Sequence, residues 1–176
     1  MSFLVAIFTQ RRLGNFIGFL VCAGLMAYAL YAQHVIGLDP CPLCIFQRIA
    51  VIAAGAIFLL AALHHPKSTV GATVYGVLVS LAAIVGILVA SRHVWIQAQP
   101  PGTVAACGAT LDYMMQYMPI SKVIDLVLHG SGECAEITWR FLGLSMPWWV
   151  LFSCVGLLLW ALWVNVVSVR IFYETK

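Results

Sequence analysis

Charge is what this 176-residue chain has least of: nine Lys and Arg with six Asp and Glu, 9% of the residues, against 63% hydrophobic. So small a polar share cannot cover the surface of a water-soluble domain, and a mean hydropathy of +1.01 assigns the chain to a bilayer. Internal repeats, low-complexity tracts and a soluble domain are also lacking. The chain is too short to hold a second globular unit beside its membrane spans, so it reads as a single domain, 1–176.

What is present is four apolar stretches, Gly14 to Ala32, Ile45 to His64, Val70 to Ala90 and Trp148 to Val169. They meet the length of roughly 20 residues that crosses a hydrocarbon core about 30 Å thick. Arg48 is their only side chain charged at neutral pH. Backbone groups unsatisfied in lipid leave helices as the spanning form. The expected fold is all-α, a polytopic four-transmembrane-helix bundle with a short loop near 33–44 and a long one over 91–147.

Cations set the orientation. Arg11 and Arg12 precede the first span, Lys67 sits between the second and third, and Arg170 and Lys176 follow the last, all on one side. That side is expected to be the cytoplasm, with both termini there. In the long loop Arg92, Lys122 and Arg140 oppose Asp112, Asp125, Glu133 and Glu136, consistent with an extracytoplasmic loop. Arg11-Arg12 ahead of an apolar run with Ala27 and Ala29 also fits a cleavable signal. Cleavage would leave three spans without changing the side of the later loops.

Within the long loop, Ile120, Val123, Ile124 and Val127 share one face of a helix predicted over Pro119 to His129, which would lie along the membrane surface. Trp139, Phe141, Leu142, Leu144, Trp148 and Trp149 then return the chain to the interface, which indole rings favour. Ordinary loop packing explains that segment equally well.

The six cysteines are unevenly placed. Cys22 and Cys154 lie inside spans, where a thiol packs as a small apolar group. Cys41 and Cys44 form Cys-Pro-Leu-Cys at the mouth of the second span, and Cys107 and Cys134 stand apart in the long loop. Two residues between cysteines favour a reversible disulfide. A tetrahedral Zn site built from all four is the competing reading, but outside the cytoplasm thiols persist as disulfides, so no metal is expected. Covalent haem attachment is disfavoured because Ile45, not His, follows Cys44.

Arg48 falls one turn deeper than Cys44 on the same helical face, just within the membrane. A cation there would stabilise a Cys44 thiolate and charge developing on the oxygen of a reducible ligand; snorkelling to the interface is the alternative. His93 lies where the third span enters the long loop and could hydrogen-bond or protonate a ligand at that depth. Interfacial histidines without a role are equally common. His64 and His65 face the other side and are expected to solvate a turn.

Cys41-Pro42-Leu43-Cys44 with Arg48, His93, Cys107, Ser131-Gly132-Glu133-Cys134-Ala135-Glu136 and Trp139-Arg140-Phe141-Leu142-Gly143-Leu144-Ser145-Met146-Pro147 together resemble the DsbB family of bacterial disulfide bond formation proteins. The likeness runs through nearly the whole chain. It implies a quinone-linked thiol oxidase of the bacterial inner membrane, with its redox cysteines in the periplasm. Reduced DsbA-type thioredoxin-fold protein would attack a Cys107–Cys134 disulfide, with Cys107 forming the mixed disulfide. The loop pair would be reoxidised by Cys41–Cys44, with Cys44 as a thiolate facing ubiquinone or menaquinone. Arg48 is similar to the family arginine at that thiolate and quinone, and His93 to a family histidine near the same ring. Partners are thus a DsbA-like protein and the lipid bilayer, with no nucleic acid.

One departure stands out: family members often carry Glu before the arginine, whereas this chain has Gln47, removing a possible counter-ion beside Arg48. Vitamin K epoxide reductase-like quinone reductases resemble the design with the cysteine pairs in reverse order. A non-catalytic membrane scaffold stapled by two disulfides is the other alternative.

Overall fold

The computed structural model describes residues 11–66, 68–100, 116–122 and 132–167. Cys107, Asp112, Asp125, Lys67, Arg170, Lys176 and the part of the predicted surface helix beyond Lys122 lie outside the described residues. Helices α1 (Arg11–His34), α2 (Pro42–His64) and α3 (Thr69–Gln97) precede a one-turn α4 (Gly132–Ala135). A two-stranded hairpin, β1 (Arg140–Phe141) and β2 (Leu144–Ser145), leads into α5 (Met146–Leu162), which a π-turn, Trp163–Val167, prolongs. The four long helical stretches are each apolar and long enough to cross a membrane, with mean hydropathies between 1.8 and 2.4. The chain is therefore a multi-pass membrane protein, with four candidate spans among the described residues.

Local signals explain the boundaries. His65 takes a left-handed φ of 43° and donates its N–H to Ala61 O at 3.0 Å, ending α2. Pro66 follows, and Ser68 Oγ accepts from Gly71 N at 3.1 Å to start α3. At its other end α3 runs seven residues past Ala90, where hydropathy alone would stop it. No helix breaker stands between Ser91 and Gln97, and Arg92 covers the Trp95 ring at 4.1 Å. At 29 residues, α3 is about 43 Å long, so a turn or two projects beyond the hydrocarbon. His93, expected at the entry to a loop, is consequently a helical residue.

Lipid offers no hydrophobic drive between helices, so close approach must come from small side chains. A Cβ at Gly18 would lie 2.8 Å from the Phe58 ring, one at Gly55 2.9 Å from Cys22 Cβ, and one at Gly86 2.7 Å from Cys154 Sγ. Cys22 and Cys154 are both 2% exposed, as packing residues should be. Around Phe58, Val79, Leu157 and Ala161 they form the apolar centre of the bundle.

At one end of the bundle, Asn15 and Asn165 exchange amide hydrogen bonds, Nδ2 to Oδ1 at 3.1 Å and 3.0 Å, and Trp160 Nε1 donates to Gly14 O at 2.9 Å. Both asparagines are buried, and each Nδ2 also donates to a backbone carbonyl, Asn15 to Arg11 O at 2.9 Å and Asn165 to Ala161 O at 3.3 Å, so losing one partner strands chiefly the Oδ1 of the other. Asn15→Leu is expected to lower stability by about 1 kcal/mol, with Asn15→Leu/Asn165→Leu recovering part of it. Titration with denaturing detergent, followed by loss of helical circular dichroism, measures both.

The opposite end carries the hairpin. Its two-residue turn places Leu142 and Gly143 at φ 51° and 82°, the positive pair of a type I′ turn. Trp139 stacks on Phe141 at 6.1 Å, Phe141 meets Trp149 at 5.6 Å and Trp139 meets Tyr28 of α1 at 6.2 Å. Ser145 Oγ donates to Gln97 Oε1 at 2.5 Å, tying the hairpin to the projecting end of α3.

Candidate redox site

Cys41 is the N-cap of α2. Pro42 opens the helix with its ring-fixed φ, and Cys41 stays extended at φ −65°, ψ 163°, with Sγ accepting from Cys44 N at 3.4 Å. Cys44 occupies the first turn, so the two sulfurs meet at 2.9 Å, Cys41 donating to Cys44. Both are thiols here. Removal of two electrons and two protons would join them after a small side-chain rotation.

His93 faces this pair from α3 and is 3% exposed. Its Nε2 lies 3.1 Å from Cys134 O and 3.8 Å from Cys41 Sγ, while Nδ1 lies 3.2 Å from Gln47 Nε2. A carbonyl only accepts, so Nε2 carries the proton; in the neutral ring Nδ1 then accepts from the Gln47 amide. Gln47 thus partners His93, although in the sequence it stands out only as a missing counter-ion for Arg48. Gln47 is itself buried, at 4% exposure, where an unsatisfied amide would be costly.

Arg48 turns the other way, toward α1. Nη1 donates to Gln33 Oε1 at 2.6 Å and Nη2 to Ala29 O at 3.2 Å. Both acceptors are neutral, and among the described residues no carboxylate bridges to the guanidinium, though Asp39 and Glu136 border the same cavity. Gln33 is the site residue that sequence reasoning missed; a polar side chain at the end of a span carries no signal of its own. Arg48, Cys41, Cys44, Gln47 and His93 all border one cavity of about 790 Å³. Leu25, Met26, Val51 and Val150 give it apolar walls.

Cys134 arrives from the long loop on α4 and is 1% exposed. It packs in one cluster with Cys41, Leu43, Val89 and Ile96, against which Cys44, Phe46 and Met118 also lie. Hydrophobic burial and the His93 bond to its carbonyl together dock it at the Cys41–Cys44 end of α2. The structure therefore brings Cys41, Cys44, His93 and Cys134 together and sets Arg48 on the same cavity wall. Cys107 lies outside the described residues.

A helical bundle with a Cys-x-x-Cys at the mouth of one span, and a further cysteine seated on it from a loop, defines a membrane protein built for thiol–disulfide chemistry. Comparison with known sequences agrees: the family described as Disulfide bond formation protein DsbB matches residues 11–164, and the chain belongs to that family. It is 53% identical over 147 residues to Disulfide bond formation protein B of Xanthomonas axonopodis pv. citri (strain 306), covering 84% of this chain and 86% of the relative. The protein of that name in Methylobacillus flagellatus is 50% identical over 155 residues, covering 88% and 92%. That of Chromohalobacter salexigens is 50% identical over 148 residues, covering 84% and 86%. Disulfide formation, an oxidoreductase reaction, is the chemistry that membership assigns.

Proposed function

We propose that the chain reoxidises a periplasmic DsbA-type thioredoxin-fold protein and delivers the electrons to a quinone, from the bacterial inner membrane with its cysteines periplasmic and both termini cytoplasmic. The observation that carries this reading is the seating of Cys134 beside Cys41 while Cys44 borders the cavity that holds Arg48.

The partner's thiolate attacks Cys107 of a Cys107–Cys134 disulfide, forming a mixed disulfide and releasing Cys134 as a thiolate. Cys134 attacks Cys41 of a Cys41–Cys44 disulfide, and Cys44 leaves as a thiolate into the cavity. The partner's second thiolate displaces Cys107, completing the partner's disulfide. Cys107 then attacks Cys134 in its bond to Cys41, which restores the loop disulfide and leaves Cys41 reduced. A quinone bound in the cavity supplies the oxidising power, taking two electrons and two protons as the Cys41–Cys44 disulfide reforms.

The residues present suit such a ligand. Apolar walls accept a lipid-soluble ring, Arg48 offers a cationic donor to a ring oxygen, and His93 holds a proton on Nε2 beside Cys41. Hydrogen bonds to charged groups contribute about 1.5–3 kcal/mol, so Arg48→Ala should raise the quinone concentration needed for half-maximal rate by roughly 10- to 150-fold. Its mixed disulfide with the partner should still form. The test mixes purified chain, reduced DsbA-type partner and quinone without oxygen and follows quinone absorbance. Unchanged absorbance with the wild-type chain would refute the oxidase reading; unchanged turnover of Arg48→Ala at low quinone would refute the role of Arg48.

A further inference from the structure

We propose that the reduced Cys41–Cys44 pair and His93 form a binding site for a thiophilic divalent cation such as zinc. The ligand atoms of these three residues lie within 4.8 Å of one another, on two different helices. A tetrahedral ion with bonds of about 2.3 Å to sulfur and 2.0–2.1 Å to nitrogen sets S···N near 3.5 Å and S···S near 3.8 Å. Cys41 Sγ and His93 Nε2, at 3.8 Å, already stand close to that separation. The 2.9 Å between the sulfurs must widen, and Cys44, whose sulfur lies within 4.8 Å of the His93 ring nitrogen, has the cavity to move into.

The surroundings accommodate the exchange of protons. Binding releases one proton from each thiol. The His93 proton moves from Nε2 to Nδ1, giving up the bond to Cys134 O. Gln47 can rotate its amide so that Oε1 accepts from Nδ1–H, keeping the 3.2 Å contact as the outer hydrogen bond that metal-bound histidines ordinarily make. An amide serves both proton arrangements by turning over, so one side chain supports the metal-free and metal-loaded rings alike. Two thiolates and a divalent ion sum to zero charge, which removes the electrostatic objection to loading a buried site at a membrane mouth. All three ligands border the cavity, and three protein ligands leave a fourth position for water, as in other three-ligand zinc centres.

Such an ion occupies both sulfurs and removes the hydrogen bond that seats Cys134. On the proposed oxidase function, on which this consequence alone rests, it arrests the chain in its reduced form. Excess zinc outside the cytoplasm would thereby slow disulfide formation without any covalent damage.

Cobalt(II) is the probe, added without oxygen to the reduced, purified chain in detergent. One cobalt per chain is expected, with sulfur-to-metal charge-transfer absorption and the visible bands of a tetrahedral site. The same chain with its disulfides closed must lose these bands, a comparison that needs no substitution and no refolding. Cys44→Ser should abolish them, and His93→Ala should shift the visible bands and weaken binding at least tenfold, while Gln47→Leu should weaken it roughly 10- to 100-fold. Cys22→Ala and Cys154→Ala should leave the spectrum unchanged. Absence of cobalt binding by the fully reduced wild-type chain overturns the proposal. So does a spectrum that survives Cys44→Ser or is identical in His93→Ala. The spectrum requires neither quinone nor partner, so its failure is distinguishable from a failure of the oxidase reading.

Discussion

Cys44→Ser is expected to stop the reaction after at most one partner disulfide per chain, with no change in quinone absorbance. The reason lies in the division of labour at the start of α2. Both cysteines border the cavity, but Cys41 caps the helix and is buried in one cluster with Cys134, while Cys44 sits one turn above Arg48 and is the more exposed of the two. Without Cys44 there is no disulfide for Cys134 to attack, and serine has no accessible two-electron couple. The loop disulfide can still be spent once on the partner. Rapid mixing without oxygen, followed by acid quenching and counting of partner thiols, separates a single equivalent from continued turnover. Sustained turnover by this variant would remove Cys44 from the path.

Gly86→Ala should cost about 1–3 kcal/mol, the usual range for forcing an extra carbon into a packed core. The new Cβ would sit 2.7 Å from Cys154 Sγ and 3.5 Å from Ala50 Cβ, at the point where α2, α3 and α5 converge. The strain has one principal source, which makes it testable by removal. In Gly86→Ala/Cys154→Ala the nearest remaining atom on residue 154 is a Cβ 3.6 Å away, an ordinary contact. The second substitution should therefore restore most of the loss, a coupling that independent sites do not show. Thermal unfolding in detergent reads both, and additive losses would mean that the sulfur is not what the glycine accommodates.

Four apolar runs separated by turns were legible in the sequence because hydropathy reports lipid contact directly. The end of α3 was not: Ser91 to Gln97 looks polar, yet a helix past the hydrocarbon needs only the absence of breakers. Cys41 and Cys44 could be assigned to one site from spacing alone, since the helix start fixes their separation. The partners of Arg48 and His93 could not. Gln33 and Gln47 reach them from residues 15 and 46 positions away in the chain, a proximity that only the packing of α1, α2 and α3 creates. Cys134 was recognisable as a redox candidate, while its burial against Leu43, Val89 and Ile96 depends on a loop folding back over two helices.

The amide clamp between Asn15 and Asn165 has a mechanical consequence for the far end of the molecule. It fastens α1 to the last helix at one extremity, while Ala29 of α1 and Met146 of α5 border the cavity near the other. Fourteen residues of helix separate Asn15 from Ala29, a lever of about 21 Å. A tilt of roughly 5° about the clamp would carry Ala29 by about 2 Å over that length. The carbonyl that helps to hold Arg48 rides on this arm, so a small pivot at the foot of the bundle is felt at the guanidinium.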